Sequence, residues 1–275
     1  MTRLDRQSFL GVHSEERLKT STLGIVGLCG GGSHIAQQSA HMGIGRYVLV
    51  DPQDVDEEGT NTNRLVGSTL EDVKNLEAKV HIAERVIRGV QPDADITLIK
   101  DIWQNAAEHL KRCDVVIGAV DSYKEREQLE RFCRRHLIPY LDVGMNVTET
   151  KPGNHLVSGQ VILSTPGFPC LRCCGVITET NLRAEAELYG AAGSRPQVVW
   201  SNGVLASSAI GILTQILTPW FSNPPSFVHL EYDGNIGTVK RNIRMDILMG
   251  KTCPHHPVNE MGDALMDVRD SLNLT

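Results

Sequence analysis

The sequence has no apolar run long enough to cross a bilayer, no excess of basic residues and no even set of cysteines. Its longest apolar region, Gly203 to Pro219, is broken by Ser207, Ser208, Thr214 and Gln215. That stretch is too short and too polar for a membrane-spanning helix. The opening residues, Met1-Thr2-Arg3-Leu4-Asp5-Arg6-Gln7, carry charge at once and contain no apolar segment suited to a secretory signal. With 27 Lys and Arg against 33 Asp and Glu, the formal charge is −6. Neutralising duplex phosphates needs clustered cations, so nucleic acid is not the expected partner. The seven cysteines are an odd number in a chain too long for a disulfide scaffold, and Cys170, Cys173 and Cys174 crowd together. That pattern favours metal binding or reduced thiols. These absences predict a soluble, cytoplasmic protein with no membrane association.

What is present reads as an α/β protein. Thr22–Val26 is a buried strand, followed by a turn over Gly27–Gly32 and a helix from Ser33 to Met42. Arg46–Val50 is a second strand, stopped by Asp51-Pro52. Val73, Leu76, Val80, Ala83, Ile87 and Val90 keep three-four spacing, which predicts one long amphipathic helix. Strands at 95–99, 114–120 and 139–143 follow, with helices near 105–111 and 124–135 between them. This rhythm implies a Rossmann-like, mostly parallel sheet with helices on both faces. Beyond Gly144 the pattern changes to an antiparallel region: strands at 158–164, 227–232 and 236–243, and a helix at 198–217. The last two strands join through Asp233-Gly234-Asn235, a hairpin turn.

Gly27-Leu28-Cys29-Gly30-Gly31-Gly32-Ser33 lies between a strand and a helix, where backbone N–H groups cradle phosphate. Asp51 closes the next strand, where a carboxylate reaches a ribose hydroxyl. Cys29 stands at the middle glycine of a G-x-G-x-x-G dinucleotide turn and would crowd a pyrophosphate. The turn by itself therefore leaves a dinucleotide, a triphosphate shifted along the loop, or a merely tight connection. Asn61 and Arg64 follow the second strand, Lys79 lies on the long helix, and Asp121 follows the strand at 114–120 with Arg126 beyond it. Strand ends of a parallel sheet share one edge. Cations and a carboxylate converging there suit a triphosphate and Mg²⁺.

From Arg3-Leu4-Asp5-Arg6-Gln7 to Cys253-Pro254-His255-His256, the chain resembles the ubiquitin-activating-enzyme-like superfamily of ThiF, MoeB and HesA. The ordered set is Arg6; Gly27, Gly30, Gly32 and Ser33; Asp51; Asn61 and Arg64; Lys79; and Asp121 with Arg126. The resemblance implies ATP-dependent adenylation of the C-terminal glycine of a ubiquitin-like or sulfur-carrier protein. It implies that Asp51 holds the ribose, Asn61, Arg64 and Lys79 the phosphates, and Asp121 the magnesium, with Ser122 among the cofactor-binding residues. Arg6 would reach the triphosphate of a second subunit, so a homodimer is implied. The chain departs from the family at Cys29, which replaces a glycine, and in a slightly longer spacing from Asp51 to Asn61.

Cys170-x-x-Cys173 and Cys253-x-x-His256 are paired ligands from two distant segments, a common way to build a closed, structural zinc site. Cys174 and His255 are the alternatives within each pair. Relatives use four cysteines here, so His256 would replace the last thiolate. The family's crossover loop corresponds to residues 178–197, which contain no cysteine, so adenylation without a thioester is expected, with Cys174 as the fallback nucleophile. Trp103, Trp200 and Trp220 read as core or interface anchors. We expect one ThiF-type domain over 1–275, with a nucleotide-binding half at 1–145 and a zinc-binding, partner-docking half at 146–275. The competing readings are a nicotinamide- or flavin-dependent oxidoreductase, a non-catalytic zinc-stabilised scaffold, and adenylation of a modified base in transfer RNA. The oxidoreductase reading leaves Arg64, Lys79, Asp121 and the zinc pairs without a role.

Overall fold

The structure is a computed structural model that describes residues 3–187 and 196–262. In chain order its elements are α1 (Ser14–Thr20), β1 (Thr22–Val26), α2 (Gly30–Met42), β2 (Arg46–Val50), α3 (Leu70–Asn75), α4 (Lys79–Val90) and β3 (Asp95–Ile99). A short 3-10 turn, Trp103–Ala106, leads into α5 (Ala107–Leu110), β4 (Val115–Gly118), α6 (Tyr123–Arg135), β5 (Tyr140–Lys151) and β6 (Asn154–Ser164). Then come α7 (Glu179–Glu187), α8 (Val199–Leu217), β7 (Phe227–Asp233), β8 (Thr238–Arg241) and α9 (Arg244–Leu248).

All eight strands form one mixed sheet in the order β3-β2-β1-β4-β5-β6-β7-β8. Pairing is parallel from β3 to β5 and antiparallel from β5 to β8. The front and back halves therefore share a single sheet, and the antiparallel portion is larger than the sequence predicts. It is larger because β5 runs on past Val143 and turns through Gly153 into β6, a hairpin whose outer residues are exposed. Exposed polar positions carry no strand periodicity, so the extension is hidden from a hydrophobic pattern.

Apolar runs place β1, β2 and β4 at the centre, with Ile25, Leu49 and Val116 fully buried. One face is covered by α2, α4 and α8, whose Ile35, Ile87 and Leu213 join the same cluster. The other face packs Trp103, Leu110, Leu129 and Phe132 from α5, α6 and the turn before them. Among the described residues, no helix is long and apolar enough to cross a membrane.

The single long helix predicted over 73–90 is two helices. Leu76 takes a left-handed conformation (φ 49°) that caps α3, and α4 restarts at Lys79 after an extended Ala78. The three-four spacing crosses the break because Leu76, though apolar, is exposed, while Val80, Ala83 and Ile87 are buried. The consequence is functional: Lys79 opens a helix and does not lie along its flank. The chain leaves β1 outward to β2 and β3, then crosses to β4 and β5 on the other side. The crevice at the carboxyl ends of β1 and β4 is thus the switch point where ligands bind in such sheets.

Candidate active site

A cleft of about 380 Å³ occupies that crevice, and Gly27, Cys29, Gly30, Asp51, Lys79, Asp121 and Ser122 line it. The Gly-rich turn is sharp. Gly27 has φ 86°, and a Cβ there would stand 2.6 Å from the Ala119 carbonyl oxygen. A Cβ on Gly32 would lie 1.8 Å from the carbonyl oxygen of Gly27, so α2 can begin directly over the sheet. Asp51 is buried and braces this turn. Its Oδ2 accepts from the Leu28 N–H (2.7 Å) and its Oδ1 from the Gln53 N–H (2.9 Å).

Lys79 is buried, with its Nζ donating to Gln53 Oε1 at 2.6 Å. The Asp121 carboxylate accepts from Gln197 Nε2 at 3.0 and 3.1 Å, which ties it to the segment leading into α8. Lys79 and Arg64 both act electrostatically on the Cys29 thiol, yet burial outweighs them and pushes that thiol up. Cys29 is therefore a neutral thiol between cations. On the other wall, burial and the charges of Glu185, Asp51 and Asp121 push the Glu125 carboxyl up. Cations beside the Gly-rich turn and crowded carboxylates opposite it suit a polyphosphate carrying a divalent cation.

Other residues singled out in the sequence have structural partners of their own. Ser33 is buried, donates to the Gly30 carbonyl (3.1 Å) and accepts from the Val66 N–H (3.0 Å). It pins α2 to the loop after β2 and does not line the cleft. Asn61 is buried with its Oδ1 unpartnered among the described residues, and so is Arg64 Nε, while Arg64 Nη1 donates to the Thr60 carbonyl at 3.1 Å. Neither lines the cleft, though Arg64 is close enough to act on the Cys29 thiol. Ser122 caps α6, accepting from the Glu125 N–H at 3.2 Å and donating to Glu185 at 3.3 Å. Arg126 is buried in an ion pair with Asp142, so it is not a free cation for phosphate.

Arg6 is exposed in the turn Asp5–Leu10, which docks on the far end of α2 through Gln7 Nε2 and the Met42 carbonyl (2.8 Å). The 13 residues of α2 rise about 1.5 Å each, about 20 Å in all. Arg6 does not meet the cleft of its own chain.

Trp103, Glu125 and Gln197 line the cleft without having been singled out for it. Glu125 lies in the first turn of α6, close in sequence to Asp121 and the cap Ser122. Trp103 belongs to the core as expected, but its indole edge also meets the cleft. Gln197 follows an irregular stretch and carries no motif.

The second constellation brings Cys170, Cys173, Cys253 and His255 together. The Sγ–Sγ distances are 3.7 Å for Cys170–Cys173 and 3.8 Å for Cys173–Cys253, and His255 Nδ1 is 3.4 Å from both Cys170 and Cys173. Tetrahedral zinc with its usual bond lengths requires about 3.8 Å between sulfurs and about 3.5 Å between sulfur and nitrogen. The donor set fits a zinc ion. His255, not His256, is the histidine grouped with the three thiols. His256 turns its Nε2 to Glu130 Oε2 at 3.8 Å, a buried carboxylate that also accepts from the Leu171 N–H at 2.9 Å. It stays within 4.8 Å of Cys170, beside the set of four. His255 thus meets both Cys170 and Cys173, while His256 approaches Cys170 from the side of Glu130. Cys174 is buried and its thiol is pushed up by that burial, which disfavours the thiolate a nucleophile needs.

Residues 3–253 match the model of the ThiF family. The chain belongs to the ThiF family. Among similar proteins, tRNA threonylcarbamoyladenosine dehydratase of Escherichia coli is 36% identical over 123 residues, 44% of this chain and 44% of the relative. The SAMP-activating enzyme E1 of Haloferax volcanii is 30% identical over 180 residues, 62% of each chain. This ThiF-family chain thus spans about half to three fifths of the length of such relatives. The crystal structure of E. coli MccB with ATP superposes with a TM-score of 0.69 over 88% of this chain and 71% of that one, at 18% identity. The fold is shared. The family's chemistry is E1-like, and ATP is its expected co-substrate.

Proposed function

We propose that this ThiF-family chain adenylates the C-terminal glycine carboxylate of a ubiquitin-like or sulfur-carrier protein. The observation that carries the reading is the convergence of the Gly-rich turn, Lys79 and Asp121 in one cleft at the switch point of the sheet. Arg64, whose charge reaches Cys29, and Asn61 each keep a buried polar atom without a partner among the described residues, which supports a ligand rich in polar atoms. Lys79, Arg64, Asn61 and the N–H groups of the turn hold the triphosphate, and Asp51 has lone pairs left for the ribose. Asp121, with Glu125 beside it, holds Mg²⁺, which supplies charge neutralisation when bound.

The substrate carboxylate attacks the α-phosphorus of ATP, its oxygen forming the new P–O bond as pyrophosphate leaves. Two anions must meet, so fixed cations offset their repulsion and stabilise charge in the transition state. Arg6 has no route to its own cleft. Its place beside exposed Phe9, Trp220 and Phe221, where the Phe9 and Trp220 rings lie 6.0 Å apart, supports a homodimer in which it serves the partner's site. Cys170, Cys173, Cys253 and His255 hold a structural zinc. Four protein ligands leave no open position, so the ion has no catalytic part. These unpaired thiols suit a reducing compartment such as the cytoplasm. We assign the whole chain, 1–275, to one adenylation domain.

The likeness to tRNA threonylcarbamoyladenosine dehydratase supports a second reading, in which the activated carboxylate is carried by a modified base in tRNA. Pyrophosphate exchange separates the two. Carriers ending in Gly-Gly should drive incorporation of labelled pyrophosphate into ATP, and Lys79→Ala and Asp121→Asn should abolish it. Exchange driven only by tRNA would replace the protein substrate with RNA. Binding of NAD and not Mg-ATP would overturn adenylation altogether.

A further inference from the structure

The back half carries a cavity that the adenylation chemistry does not use. A groove of about 430 Å³ crosses the face of β6 and β7 away from α8, lined by Gln160, Gly175, His229, Glu231, Asp233 and Arg244. Side chains alternate along a strand. Gly159 faces Leu205 of α8, so Ser158 and Gln160 face the groove. Gln160 also lines a small cavity of about 40 Å³ with Gly144, Arg126 and Asp121, and Asp121 lines the nucleotide cleft. The small cavity thus shares Gln160 with the groove and Asp121 with the nucleotide cleft.

Within the groove one cation is unspent. Lys240 is paired with Glu231 at 2.9 Å. Arg244 makes no ion pair among the described residues; its guanidinium makes a long 3.5 Å approach to the Cys173 carbonyl and lies close enough to act on His229 and Cys174. Gly175 keeps space for it: at φ 72°, a Cβ there would stand 2.9 Å from Arg244 Nη2. Across the groove His229 is buried, with Nδ1 unpartnered among the described residues.

We propose that Arg244, opposite His229, is a specificity-determining residue that reads an acidic side chain in the extended tail of a protein substrate. This rests on the adenylation of a protein C-terminus argued above. The cavity beside Gly144, about 40 Å³ against about 430 Å³ for the groove, favours a slender occupant such as peptide backbone. Glu231 is neutralised by Lys240 and accepts from Asn242, so a single carboxylate can reach Arg244. The described lining leaves one uncommitted cation for a whole chain of phosphates, so a peptide is the occupant. β7 lies two strand spacings from β5, about 10 Å, which an extended chain crosses in about three residues. The acidic residue therefore stands about three positions upstream of the residue at Gly144.

The test uses fluorescein-labelled twelve-residue peptides ending in a free Gly-Gly carboxylate. A single Glu is moved from the third to the eighth position from the end, and the full-length protein is loaded with a non-hydrolysable Mg-ATP analogue. One position should bind about tenfold more tightly than its Ala counterpart. That gain should vanish in Arg244→Gln, return in part in Arg244→Lys, and invert when Lys replaces the Glu. Thermal unfolding of each variant checks folding. Peptides that bind with no positional preference, or with a preference that survives Arg244→Gln, overturn the role of Arg244 and leave adenylation standing. If no peptide binds, but a tRNA anticodon stem-loop does and depends on Arg244, both the tail and the protein substrate are refuted.

Discussion

Arg126 donates from Nε and Nη2 to the two carboxylate oxygens of Asp142, and both side chains are almost completely enclosed. The D-x-x-x-x-R spacing that placed Arg126 with the nucleotide ligands thus ends in an ion pair between α6 and β5. Removing one member leaves the other charge buried and unpaired. Asp142→Ala should therefore lower stability by about 3–5 kcal/mol, read by urea denaturation. A loss below about 1 kcal/mol would mean the pair is solvated in solution.

Lys79 and Asp121 are expected to act on the nucleotide with little effect on folding. Lys79→Ala should weaken Mg-ATP at least tenfold by calorimetry, since a charge-assisted contact is worth about 1.5–3 kcal/mol. Asp121→Asn should weaken Mg-ATP more than metal-free ATP. Equal losses for both ligands would remove Asp121 from the metal.

Cys29 narrows the cleft with a neutral thiol, raised by burial. Alkylation by iodoacetamide should be slow at pH 7, speed up at higher pH, and be blocked by Mg-ATP. Cys29→Gly should tighten Mg-ATP severalfold. If it weakens binding instead, the side chain is part of the seat and not an obstruction.

The two histidines make the metal assignment testable. His255→Ala should lose zinc by elemental analysis and lower the unfolding temperature, while His256→Ala keeps one zinc per chain and loses only the contact to Glu130. The reverse pattern would restore His256 as the ligand.

Asp72 caps α3 through Thr69 and pairs with Arg85 at 2.7 Å. Arg85 holds its carboxyl down to about 2, below the ordinary 3.8. A carboxyl depressed on folding contributes stability that is complete above its unfolded value and is lost as pH falls through the folded one. Asp72→Asn should cost about 1–2 kcal/mol at pH 7, and the gap should close between about pH 4 and 2. A difference independent of pH would refute the ion-pair origin.

The order of strands and helices in the front half, the Gly-rich turn, Asp51 and the Cys170/Cys173 pair with Cys253 as its distant partner were legible because each rests on local rules. Apolar runs bury, glycine alone fits a reversal such as that at Gly32, and paired ligands three residues apart chelate. Tertiary packing decided the rest. It broke the helix at Leu76 and set Lys79 at the cleft, spent Arg126 on Asp142, turned Ser33 inward, and chose His255 over its neighbour. It also gathered Gln160, Gly144 and Asp121 around one small cavity, residues from three segments with no common pattern. A charge or a donor acts at a distance set in space, and sequence spacing reports that distance only within one helix or strand. Across the sheet, register and burial assign each polar group its partner.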